Sequence, residues 1–374
     1  MRWTTVASFC LGLGATQGNK IGGCINADPM ESQVPADPYT VSDIYTGTSC
    51  SPFSKVVRAY GLLLTASIPG QDVPDNALKW LSKATTELFP SSASDLPKQR
   101  EVIENMYRYR AANPVFFGSF EDNMDPARDV LSMCDTITVG LIGSNRNGQF
   151  MEIYEHLLHI IADVGFSKTW PAKWGISTSS DLHSAMQEAI TNGVYDVSSY
   201  AGIDDEARLR IQLQEFAYWA ISTAQGVHAT YFDGSAAPEW TLTTASQLET
   251  SAPLFWALHQ ATSATVLGNL STSTITALQD LAVGQTPQDA TWPIVDVGRG
   301  TLPTGAALTD PCSGAGSGGC DGGCIGGIIG GSFVPVLLFI LWGTGALGVK
   351  PFTLTKKTGK SPADLSAIPS AQAA

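Results

Sequence analysis

The spacing of apolar residues divides the chain into a long helical middle and two ends of different character. "VPDNALKWLSKATTELFP" predicts a helix capped near Asp75 and stopped by Pro90. "LPKQREVIENMYRYRAANP" predicts a second, begun by Pro97 and stopped by Pro114. "PVFFGSF" and "DTITVGLIG" are β-branched or aromatic and bounded by glycine, so they predict short strands. "NGQFMEIYEHLLHIIADVG" predicts a helix closed by Gly165, and "SSDLHSAMQEAITNG" one capped by Ser180 or Asp181 and ended by Gly193. "DDEARLRIQLQEFAYWAISTAQG" predicts a longer helix ending at Gly226. "TASQLETSAPLFWALHQATSATVLG", interrupted near Pro253, and "STSTITALQDLAVG" complete the set. The fold class expected is mainly α with minor β (α+β).

The ends read differently. Residues 1–17 carry Arg2, an apolar run and small residues near Gly14, the layout of a secretory signal peptide. Residues 18–54 are irregular, a cap pinned by a cysteine bridge. Residues 55–283 form one helical ectodomain, and residues 284–324, rich in Pro, Thr and Gly, a stalk. Residues 325–349 carry no charge and suffice for a transmembrane helix. Lys350, Lys356, Lys357 and Lys360 follow directly and hold the tail, 350–374, in the cytoplasm. The expectation is a type I, single-pass protein of the secretory pathway or cell surface. Gly326, Gly327, Gly330 and Gly331 have the small-xxx-small spacing that packs membrane helices into a homodimer.

Composition agrees with an exterior location. Only 15% of the 374 residues are charged, against about 25% in ordinary soluble domains. The net charge of −13 excludes a nucleic-acid surface, which needs clustered Lys and Arg. Loss of Cys10 with the signal peptide leaves Cys24, Cys50, Cys134, Cys312, Cys320 and Cys324 for disulfides. "CDGGC" with Cys312 could alternatively hold zinc, but no second pair or nearby histidine supports that, and a disulfide knot in the stalk is favoured. Asn269-Leu270-Ser271 is a glycosylation sequon.

The candidate chemistry lies on the "EHLLH" helix, which holds two of the 5 histidines. At about 100° per residue, Glu152, His156, His159 and Asp163 fall within about 60° of one another, opposite Phe150, Ile153, Leu157, Ile160, Ile161 and Val164. Imidazoles and carboxylates are ligands for zinc or iron. One helix face rarely supplies four ligands, so Glu215, in "LQEFAYWAIS", is the residue expected to complete the set. His156, His159, Glu152 and Glu215 are the candidate metal ligands, with Glu155 or Asp163 as catalytic base or orienting group. The order Glu155-His156-Leu157-Leu158-His159 matches neither the zincin nor the inverted zincin motif, and the Glu-x-x-His pairs of di-iron bundles are absent. The competing reading is a solvated polar face on an amphipathic surface helix. Residues 121–129, "EDNMDPARD", lack the central Gly and terminal Glu of a calcium loop. No nucleophile elbow or phosphate-binding loop occurs.

"VVRAYGLLLTASIPGQDVPDNALKWL", "VIENMYRYRAANP", "MEIYEHLLHIIADVGF", "MQEAITNGVYD" and "EFAYWAIS" resemble a family of largely uncharacterised secreted proteins across residues 55–235. Members show a histidine in the first helix, where this chain has Lys79. The resemblance implies one ectodomain and a meaningful Glu-His-His helix, and brings no activity with it. Two functions follow as expectations: a metal-dependent, peptidase-like hydrolase, or a non-enzymatic adhesion or recognition protein whose helix face is merely wet.

Overall fold

In the computed structural model, residues 24–117 (except 26, 49 and 51), 131–139, 145–232, 239–282, 287–301 (except 293 and 297) and Cys312 are described. The candidate signal peptide, the membrane segment and its glycines, the tail, Cys320, Cys324 and the acidic loop 121–129 lie outside them. No helix among the described residues is long and apolar enough to cross a membrane.

The chain is α+β, mainly helical around a five-stranded sheet. Strands β1 (Tyr45–Thr46), β2 (Lys55–Ala59) and β3 (Leu62–Ala66) run antiparallel. Helices α1 (Asp75–Glu87) and α2 (Leu96–Arg108) cross over to β4 (Ala112–Phe117), parallel to β3, and β5 (Ile137–Val139) adds parallel to β4. The β2–β3 turn is Tyr60-Gly61, with φ of 46° and 86°. Two positive φ values in a two-residue loop match the twist of a hairpin. Glycine is required at 61, because a Cβ there would meet Ile103 O at 2.7 Å.

Next come α3 (Arg146–Ile160), a π-helical stretch Ile161–Phe166, α4 (Ser167–Thr169) and α5 (Pro171–Trp174). A second set follows: α6 (Asp181–Thr191), α7 (Asp205–Ala224), α8 (Val227–Tyr231), α9 (Ala245–Ser251), α10 (Pro253–Gln260), α11 (Ser263–Val266) and α12 (Thr272–Ala282). A small hairpin, β6 (Val295–Asp296) and β7 (Gly300–Thr301), closes the described part. One continuous core links the inner sheet face to the helices through Val57, Leu64, Leu81, Ile153, Leu157, Phe166, Phe216 and Trp240. Helix α3 is its centre, in contact with β4, β5, α7 and α12.

Several expectations need correction. Helix α3 is not a surface helix: from Gln149 to Ile160 every residue except Glu152 is buried. Its polar face meets partners from β5 and α7 instead of water, which the helix's own pattern could not show. Gly165 does not cap it. The helix widens into a π-turn and continues; glycine stands at 165 because a Cβ there would come within 2.9 Å of Val102 Cγ1 where α2 packs. Residues 55–66, at the start of the region expected to be mainly helical and given no element of their own, form the β2–β3 hairpin.

Residues 287–301 are not a free stalk. Trp80 Nε1 donates to Gln288 O at 2.8 Å, and Arg299 donates to Phe89 O at 2.9 Å and Gln99 Oε1 at 2.7 Å. Cys312 does not join a stalk knot either. It bridges to Cys50 over the outer sheet face, and Cys24 bridges to Cys134 beside β5.

Candidate metal centre

The site forms where three segments meet: the residue leading into β5, the second half of α3 and the middle of α7. Asp204 opens α7 by accepting from the amides of Glu206 and Ala207, and Gly226, with φ of 72°, follows its end. Between them every residue from Arg210 to Thr223 except Gln212 is buried, so Gln214, Glu215 and Tyr218 point into the protein.

His159 is the hub. Its Nδ1 lies 2.6 Å from Asp135 Oδ2, and its side chain is 0% exposed. Asp135 also accepts from the Thr136 amide at 2.7 Å and from Gln214 Nε2 at 3.2 Å, and Arg210 Nη1 holds Gln214 Oε1 at 2.6 Å. Burial pushes the Asp135 carboxyl up, but His156 and the His159 hydrogen bond outweigh it and bring it below its ordinary value. A carboxylate that can only accept forces the proton of His159 onto Nδ1. Burial, with repulsion from His156 and Arg210, keeps His159 below its ordinary pKa and therefore neutral. The Nε2 lone pair is thus free and points at Glu215 Oε2, 3.7 Å away.

Neither His159 Nε2 nor Glu215 Oε2 has a hydrogen-bond partner, and the Tyr218 hydroxyl is equally buried and unpartnered. Glu155, one turn before His159 on the same helix face, completes the group. Ligand atoms of Glu155, His159 and Glu215 lie within 4.8 Å of one another. Bonds of about 2.1 Å put tetrahedral ligands roughly 3.4 Å apart, so small side-chain movements close this set on one ion. Burial pushes both Glu155 and Glu215 well above the ordinary carboxylate range, reinforced by Glu215 and Glu152 in the case of Glu155 and by Glu239 and Asp135 in the case of Glu215. Glu239, which accepts from the Tyr200 hydroxyl, adds to the negative field on Glu215.

No protein-family model, curated protein or solved structure matches the chain.

The residues singled out from sequence separate into three groups. Glu155, His159 and Glu215 come together. His156 and Glu152 pair with each other instead: His156 Nε2 lies 3.3 Å from Glu152 Oε1, while Nδ1 donates to Thr136 O and lies 3.6 Å from Asp135 Oδ1. Burial opposes its charge, yet Asp135 and Glu152 prevail and push His156 up to about 10. With both nitrogens engaged, His156 serves here as a counter-charge to Asp135 and Glu152.

Asp163 falls in a different place. The π-turn carries it off the His159 face to Cys24 Sγ, 3.9 Å from Oδ2, where burial pushes it up to about 7 despite Arg210. Cys24, Cys134 and Asp163 also converge closely enough for a metal. The two sulfurs are bonded to each other, though, so they offer no thiolate.

Sequence reasoning missed Asp135, Gln214, Arg210 and Tyr218. Gln214 and Arg210 do carry a signal, since they sit at i, i+4 on a long apolar helix, with Gln214 directly before Glu215. Asp135 carries none: it is an acid beside a cysteine at the start of a short strand.

Proposed function

We propose that the protein holds one divalent cation, zinc or iron, through Glu155 and Glu215 oxygens and His159 Nε2, and uses it for metal-dependent hydrolysis. The observation that carries the reading is the neutral His159, hydrogen-bonded to Asp135 on one nitrogen and bare on the other beside an unpartnered carboxylate. A carboxylate behind a ligating imidazole fixes its tautomer and raises its basicity. Two buried glutamates, each pushed up by burial and by nearby carboxylates, stay protonated without a cation and become strong ligands with one.

Three protein ligands leave a position for water, whose pKa a bound cation lowers towards neutrality. Glu152, 23% exposed and in contact with His156, is the carboxylate of this cluster that reaches solvent, a route out for the proton. His159 and Glu215 are 0% and 1% exposed, which favours a small substrate over a folded protein. The solvated face on which an adhesion role rested is buried.

The test is hydrolysis of a panel of small chromogenic esters, amides and phosphoesters. Activity that chelation abolishes, zinc or iron(II) restores and His159→Ala removes supports the reading. Activity indifferent to chelation overturns it. The two disulfides fit the outside placement that the ends of the sequence suggest. Protease treatment of intact cells should remove an epitope within residues 55–283 and spare one after Lys350.

A further inference from the structure

Cys24, Cys134 and Asp163 meet in the interior beside β5, all three buried. The π-helical stretch after α3 brings Asp163 there, the segment ahead of β1 brings Cys24, and the residues leading into β5 bring Cys134. The two sulfurs are joined in a disulfide, and Asp163 Oδ2 lies 3.9 Å from Cys24 Sγ. A sulfur in a disulfide has no proton to donate to the carboxyl group. Among the described residues no other group donates a hydrogen bond to the Asp163 side chain. Buried carboxyl groups ordinarily have donors around them, so the closed bridge leaves this one short of a partner.

Reduction changes what the three groups offer. A dithiol supplies two electrons and two protons: the S–S bond breaks, each cysteine becomes a thiol, and the dithiol closes into its own disulfide. A divalent cation then takes both sulfurs as thiolates and releases their two protons to solvent. The ligand atoms already lie within 4.8 Å of one another. With Zn–S bonds of about 2.3 Å and Zn–O bonds of about 2.1 Å, tetrahedral zinc sets sulfur and oxygen roughly 3.6 Å apart. The contact between Asp163 Oδ2 and Cys24 Sγ, at 3.9 Å, is close to that spacing. The sulfurs, once unbonded, separate to roughly 3.8 Å by side-chain rotation.

We propose that the Cys24–Cys134 bridge closes a second cation site, and that reduction opens it to zinc, held by both sulfurs and an Asp163 oxygen. An oxidising compartment keeps the site shut and a reducing one opens it. It shares no ligand with the Glu155, His159 and Glu215 group, which contains no sulfur.

The test uses the full-length chain carrying Cys320→Ala/Cys324→Ala, so that the glycine-flanked pair contributes no sulfur. The protein is reduced with dithiothreitol without oxygen, freed of reductant and titrated with cobalt(II). Thiolate ligation then shows as a sulfur-to-cobalt charge-transfer band in the near ultraviolet. The band should grow saturably in the reduced protein, bleach as zinc displaces cobalt, and stay absent from the unreduced protein. It should persist when Glu215→Gln is added, which separates it from the proposed metal centre, and vanish when Cys24→Ala/Cys134→Ala are added. Asp163→Asn keeps the bridge and the unreduced fold. Once reduced, it should bind cobalt at least about tenfold more weakly, the smallest loss that altering a group around a bound metal brings. No band in the reduced protein, a band left in Cys24→Ala/Cys134→Ala, or unchanged cobalt affinity in Asp163→Asn overturns the proposal.

Discussion

His159 Nδ1 and Asp135 Oδ2 are 2.6 Å apart in a fully buried hydrogen bond. That contact decides which nitrogen of the imidazole is left to bind anything. Asp135→Asn keeps the shape but no longer demands a proton on Nδ1, so Nε2 becomes protonated in part of the population. Affinity for zinc or iron should fall about 10- to 100-fold, measured by competition with a chromogenic chelator. Unchanged affinity would mean that Asp135 does not orient the ligand.

Glu215 sits buried with an unpartnered oxygen. Glu215→Gln removes a group that is costly to bury, so the metal-free variant should be about 1–3 kcal/mol more stable than the metal-free wild type. The same variant should gain little from added metal, whereas the wild type should gain about 3 kcal/mol at a hundredfold excess over Kd. Urea melts with and without chelator read both effects. A variant that is less stable in chelator and equally responsive to metal would place the ion elsewhere.

Acid lability should come from two histidines away from the site. Burial pushes His228 and His259 down to about 4, and His259 Nδ1 lies 2.8 Å from Ser263 Oγ. A depressed folded pKa means that the unfolded chain takes up the proton first. Stability from these groups is therefore complete above about pH 6.5 and is lost as pH falls towards 4. At about 1.4 kcal/mol per unit, each accounts for about 3 kcal/mol at most. His259→Gln should flatten the dependence of stability on pH between 6.5 and 4 in chemical melts; an unchanged slope would show that His259 is not held neutral.

The Tyr60-Gly61 hairpin is sharply specified. Gly61→Ala must hold a φ of 86° and push against Ile103 O, so a loss of more than about 1 kcal/mol is expected in the unfolding midpoint. A neutral result would mean that the hairpin and α2 are not in this contact.

The helices were legible where local chemistry marks both ends. Asp95 and Ser180 accept from the amides of Lys98 and His183, and Pro253 separates α9 from α10. β4 and β5 showed through their β-branched and aromatic runs. The β2–β3 hairpin did not, because Val56, Val57, Leu62, Leu63 and Leu64 are buried on both faces and show no alternation. Of the site, Glu215 and His159 were legible as scarce groups on long helices. Glu155 was undervalued, because its i, i+4 relation to His159 counts only once the helix is known to be buried. Asp135 and the displacement of Asp163 depend on packing between segments distant in the chain, and on a π-turn that no local residue choice announces.

Metal content of the purified protein, measured by elemental analysis alongside Glu155→Gln, His159→Ala and Glu215→Gln, tests the central claim most directly. The account predicts close to one zinc or iron per wild-type chain and loss of it in each variant, with His156→Gln keeping its metal. A metal-free wild type after loading with either ion, or variants that retain it, would contradict the account.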